Sequence, residues 1–185
     1  MTLRRGFKAE ANVHAREVRM ELDLAADAPL CPFKTAELIS VPVITLSSFR
    51  GKLPVETSYL SKRGEKIGFS ALTACVGSER IIIYNDYLPI TRSHADIMHE
   101  ISHLLLMHPP HRLRAETGGR HYDNELEEEA NWLGPALLVS EEAALSVVQS
   151  GMPLVNAAQS FAVSPSLMKM RLNVTGAERR VRRAA

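Results

Sequence analysis

Ser93-His-Ala-Asp-Ile-Met-His99-Glu100-Ile-Ser-His103-Leu-Leu-Leu-Met-His108, closed by Pro109-Pro110, is the stretch on which the fold turns. Ile97, Ile101, Leu104 and Leu105 recur at the spacing of one helical face, and the proline pair stops the helix. His99 and His103 are four residues apart. Both imidazoles therefore stand on one face, close enough to grip one cation. Neutral imidazole is a good zinc ligand. Glu100 is rotated to the side of the pair. From there it does not readily chelate the same ion, but it can reach a water beside it as general base and proton shuttle. Five residues of this kind can arise by chance on a surface helix. Here the segment from Ile97 to Met107 is otherwise strongly apolar, and three ionisable side chains in it are costly without a purpose.

A second acidic helix follows. Asp123-Asn124 can cap it, and Leu126, Ala130, Leu133 and Leu137 give it a buried face to about Val139. Pro135 inside it removes a backbone donor, so a kink is expected there. A catalytic zinc takes three protein ligands and keeps a fourth position open. Glu125, Glu127, Glu128 and Glu129 are the candidates for the third ligand. The helical face favours Glu127 and leaves the others as expected solvated positions, without deciding the matter. Asn131, four beyond Glu127 on the same side, is placed to hydrogen-bond a ligating histidine.

Outward from these helices the chain is an ordinary globular sequence. It has 185 residues, 45% apolar and 23% charged, with net charge +1. That balance needs no disulfide staple and argues against wholesale nucleic-acid binding. Cys31 and Cys75 form no Cys-x-x-Cys pair and suit a reducing compartment. The first ten residues lack an apolar signal core and no stretch is long enough to span a membrane, so a cytoplasmic protein is expected.

Phe7, Ala11, Val18 and Leu22 predict an amphipathic helix over about 7–23, and Pro32 opens a short helix carrying Phe33, Ala36 and Leu38. Val41 to Leu46 reads as a strand that Pro42 either confines to an edge or begins. Residues 47–66 read as loop with one short helix. Phe69–Val76 and Ile81–Tyr84 read as a hairpin turning at Gly77-Ser-Glu-Arg80. The loop through Gly118-Gly119 is polar. Three short helices over 141–175 and a frayed basic tail complete the chain. The expected division is 1–149 for the main domain and 150–185 for a small C-terminal helical region.

The two histidine- and glutamate-bearing helices carry a resemblance. Asp96-Ile-Met-His-Glu-Ile-Ser-His-Leu-Leu-Leu-Met-His108 and Glu127-Glu-Glu-Ala-Asn-Trp-Leu-Gly-Pro-Ala-Leu-Leu138 resemble the two motifs of the ImmA/IrrE-type metallopeptidases of bacteria and their mobile elements. Phe69-Ser-Ala-Leu-Thr before Ile81-Ile-Ile-Tyr-Asn85 is similar to that family's hairpin. Phe161-Ala-Val-Ser164 and Arg171-Leu172 resemble its C-terminal helical region. The resemblance implies a compact zincin-like α+β domain with a small sheet beside the zinc helix. It assigns the third ligand to Glu127, beside His99 and His103, with Glu100 catalytic and Zn2+ as cofactor. It also implies a protein substrate, a helix-turn-helix repressor, cleaved in stress response or mobile-element regulation. Three positions depart from the family pattern: Val139-Ser140 replaces its x-Pro ending, Gly134-Pro135 its usual small residues, and Ser102 its glycine or alanine.

Other readings remain at this stage. A zinc-stabilised regulator that docks without cleaving has the same ligands. His108, His111, His121 and Tyr122 are candidates for stabilising an oxyanion, though each reads more simply as a surface residue in a loop. Residues 157–172 look like helix, turn, helix, but Lys169 and Arg171 are the only basic groups of the second helix, so direct nucleic-acid contact is not expected. A membrane partner is not expected either.

Overall fold

The computed structural model describes residues 3–61, 69–77, 79–109 and 123–184. The chain opens with helix α1 (Phe7–Glu21), whose residues Phe7, Ala11, Ala15 and Val18 line one buried face. Two alanines on that face let α1 lie close against α5 (Asn124–Leu138). Helix α2 (Pro32–Leu38) starts on its proline, where the missing N–H costs nothing. Strand β1 (Val43–Thr45) follows, then a 3-10 turn (Leu46–Phe49) and helix α3 (Pro54–Ser61).

Strands β2 (Ala71–Val76) and β3 (Glu79–Tyr84) are antiparallel, and β1 runs parallel to β3, giving the order β1-β3-β2. Pro42 sits just outside β1, where its carbonyl accepts a hydrogen bond from Ile82 N. The edge position expected from Pro42 is the one observed. Val76 pairs with Glu79, so the turn is shorter than expected: Glu79 and Arg80 already belong to β3. Gly77 has φ 64°, as a tight hairpin turn requires, and Ser78 lies outside the described residues.

Helix α4 (Ile90–Leu105) starts before the expected Ser93, because the Pro89 carbonyl already accepts from Arg92 N and Ser93 N. It packs on β2, β3, α2 and above all α5. Asp123 caps α5 by accepting from Glu125 N at 3.1 Å. Pro135 is accommodated without dividing α5 into two helices. Ile82, Ile97, Ile101 and Leu133 are fully buried between these layers, and each contributes about 1.5–3 kcal/mol to stability.

Helices α6 (Glu141–Gln149), α7 (Leu154–Ser160) and α8 (Pro165–Thr175) close the C-terminal side. Ala157, Phe161, Val163 and Met168 belong to the same buried cluster as Phe7 and Ile97. The tail is not frayed as expected. It forms helix α9 (Ala177–Ala184), anchored by the buried Ala177 and by an ion pair from Arg180 to Glu141. Two buried arginines brace the end of α5: Arg19 donates to Leu137 O, Ala28 O and Ala15 O, and Arg171 donates to Val139 O. Desolvation lowers both guanidinium pKa values to about 10. The architecture is α+β, mostly helical, with one small mixed sheet. Cys31 and Cys75 are free and exposed. Among the described residues no helix is long and apolar enough to cross a membrane.

Candidate metal centre

On α4, the four-residue step stacks the His99 and His103 rings edge to face, with centroids 4.7 Å apart. Their Nε2 atoms approach to 3.1 Å. Glu127, in the first turn of α5, closes the triangle. Its Oε2 lies 3.3 Å from His99 Nε2 and its Oε1 lies 3.5 Å from His103 Nε2. A tetrahedral zinc with bonds of about 2.0–2.1 Å spaces its ligand atoms about 3.3 Å apart. The contacts of 3.1, 3.3 and 3.5 Å, the last two to different oxygens of one carboxylate, bring the three side chains close enough to share such an ion. Burial alone would raise the Glu127 carboxyl pKa. Hydrogen bonds with His103 and His99 outweigh burial and hold it well below the usual carboxylate range. That keeps the carboxylate ionised, as a metal ligand must be.

The close approach of the two helices is a packing property. A Cβ on Gly134 would meet the His99 backbone N at 3.3 Å and the Met98 carbonyl carbon at 3.4 Å. Glycine at 134 thus lets α5 rest on α4 at the histidine itself. Ser102, unusual for its position, is buried and donates its hydroxyl to Met98 O at 2.7 Å, so α4 carries it without a polar penalty.

Glu100 is buried on the strand side of α4, where Thr73 Oγ1 of β2 donates to its Oε2 at 2.7 Å. A small cavity of about 30 Å3, lined by Thr73, Arg80, Glu100, His103 and His108, adjoins it and has room for one water. The arrangement offers three converging ligand atoms and, to one side, a buried carboxylate beside a water-sized space.

The profile of the Peptidase M78 family, described as an IrrE N-terminal-like domain, matches residues 51–173. The chain belongs to this family. The match takes in α4, α5 and the hairpin, and it ends within α8. Membership supports a metallopeptidase-type function and implies a metal, and His99, His103 and Glu127 form a group that could hold one. No curated protein matches the chain.

Several expectations for the surroundings of this family site are corrected. His108 is not a surface histidine. It is buried, with its Nδ1 2.9 Å from His103 Nδ1 and its Nε2 3.3 Å from Glu129 Oε2. Burial lowers the His108 pKa, the hydrogen bond with Glu129 opposing it. Glu129 is not solvated either, because Arg4 Nε donates to its Oε1 at 2.6 Å and its side chain turns inward. Asn131 is exposed, and the side chain within hydrogen-bonding distance of His103 Nδ1 is His108 instead. Glu125 is exposed as expected, while Glu128 is half-buried. His111, His121, Tyr122 and the Gly118-Gly119 loop lie outside the described residues. Thr73 was not a sequence candidate, and its place on the face of β2 turned toward α4 is what brings it to Glu100.

Proposed function

We propose that the chain is a zinc-dependent endopeptidase with a zincin-like site, acting on a protein partner. His99, His103 and Glu127 hold the ion, and Glu100 serves as general base and proton shuttle. The observation that carries this reading is the convergence of two imidazoles and one carboxylate, with contacts of 3.1–3.5 Å, and a separate carboxylate beside them. A structural zinc site is closed by four protein ligands, whereas three with an adjacent base are the catalytic arrangement. Zinc, when bound, supplies Lewis acidity: it lowers the pKa of a water and polarises the scissile carbonyl.

The chain's own residues supply the remainder. Thr73 fixes one Glu100 oxygen by donating to Oε2 and leaves Oε1 to take a proton and hand it to the leaving amine. The His99 side is the more open one, with a quarter of that side chain exposed against 9% of His103, so substrate approaches from there. A helix-turn-helix repressor as substrate and a role in stress response or mobile-element regulation rest on the resemblance to ImmA/IrrE-type proteases.

Glu100→Gln separates this reading from a zinc-stabilised docking protein. The variant should keep its zinc and lose ~10²–10⁴-fold in cleavage rate of a helix-turn-helix repressor substrate. A Glu100→Gln protein that cleaves as fast as the wild type would sink the peptidase reading.

A further inference from the structure

We propose that His108 and Glu129 are positioning residues, which fix the tautomer and ring orientation of His103 through its Nδ1. The proposal rests on the metal reading above and extends it to two side chains outside the ligand set. Four side chains form one line: Arg4 Nε to Glu129 Oε1 at 2.6 Å, Glu129 Oε2 to His108 Nε2 at 3.3 Å, and His108 Nδ1 to His103 Nδ1 at 2.9 Å.

The chemistry allows one proton order along this line once His103 Nε2 is a ligand. Its lone pair is then committed to the ion, so the ring proton sits on Nδ1. His103 Nδ1–H must donate to His108 Nδ1, which therefore carries a lone pair. The His108 proton is left on Nε2, facing Glu129 Oε2, an acceptor. Arg4 occupies the other Glu129 oxygen, which turns Oε2 toward His108. Every donor meets an acceptor. An ion on Nε2 thus selects one tautomer for each ring, and the carboxylate at the far end raises the basicity of the ligating nitrogen.

The backbone is bent to make this contact. Past Leu105, His108 N donates to His103 O at 2.9 Å and Met107 N donates to Leu104 O at 3.0 Å. These are the paired bonds of a Schellman ending, which folds the chain back on the last turn. Met107 takes the left-handed position at φ 53°, where glycine is usual. The fold-back sets His108 beside His103, where this motif ordinarily makes a hydrophobic contact. A buried imidazole paired with a buried carboxylate is an expensive choice for that place if it only fills space.

The test compares His108→Asn with His108→Leu in the full chain. Asparagine keeps an acceptor oxygen near the Nδ1 position, whereas leucine keeps the bulk and loses the acceptor. Zinc affinity, measured by competition with a chromophoric chelator, should fall ~10–100-fold in His108→Leu and in Glu129→Leu, and much less in His108→Asn. Equal affinity in wild type and His108→Leu would overturn the proposal, as would equal losses in His108→Asn and His108→Leu. Ring ¹⁵N spectra of the zinc-loaded wild type provide a check that needs no variant to fold. They should show the proton on His103 Nδ1 and on His108 Nε2, and the opposite tautomer at His108 would overturn the proposal. A wild-type chain that takes up no zinc would end the metal reading and this proposal together. Tight zinc binding with the wrong tautomer would end this proposal alone.

Discussion

At the scale of single residues, the site is organised by what each side chain can no longer do. His103 is 7% exposed, with Nε2 facing His99 and Glu127 and Nδ1 facing His108. Glu127 keeps its charge under partial burial because two imidazoles face it. Met107 is the residue that bears a cost for this order. Its left-handed φ of 53° is strained for any side chain by about 1–2 kcal/mol. The side chain itself is 85% exposed and packs on little. Met107→Gly relieves the strain, and glycine's added freedom in the unfolded chain returns about 0.4–1 kcal/mol of it. The variant should gain a few tenths to about 1 kcal/mol, read as a higher urea midpoint at unchanged slope. A lower midpoint would mean that Met107 makes contacts this account omits.

At the scale of elements, the metal site is a product of the α4–α5 pair. Gly134 sets their separation through the 3.3 Å approach to His99 N. The obstacle is helix backbone, which cannot swing aside as a side chain can. Gly134→Val should therefore destabilise the protein by about 1–3 kcal/mol despite valine's better helix propensity. It should also weaken zinc binding by drawing Glu127 away from the histidines. A thermal midpoint and zinc affinity equal to wild type would show that the helices have slack. Much of this pair was legible in the sequence, because apolar residues at helical spacing on each helix choose the buried face and so the side on which the polar residues stand. The hairpin and β1 were legible for the same reason, with Pro42 and Gly77 marking an edge and a turn. Glu129 and His108 were misread as solvated. Their burial depends on Arg4, which is distant in sequence, and on a left-handed turn at a methionine that no local pattern announces. The α9 helix was misread because its support comes from Glu141 across the surface.

At the scale of the whole molecule, the long-range ties run through the end of α5. Arg19 from α1 and Arg171 from α8 donate to Leu137 O and Val139 O, so both ends of the chain hold the helix that carries Glu127. Asn12 and Arg16 of α1 add contacts to Glu141 and Glu142 of α6. What the fold builds is a group of three side chains that could hold one ion, shared between two helices, with a carboxylate on a strand-side wall. The most direct test of that claim is the zinc content of purified protein after dialysis, wild type against Glu127→Ala. Equimolar zinc is expected in the wild type and almost none in the variant. Equimolar zinc retained by Glu127→Ala would contradict the claim and move the third ligand to a neighbouring glutamate.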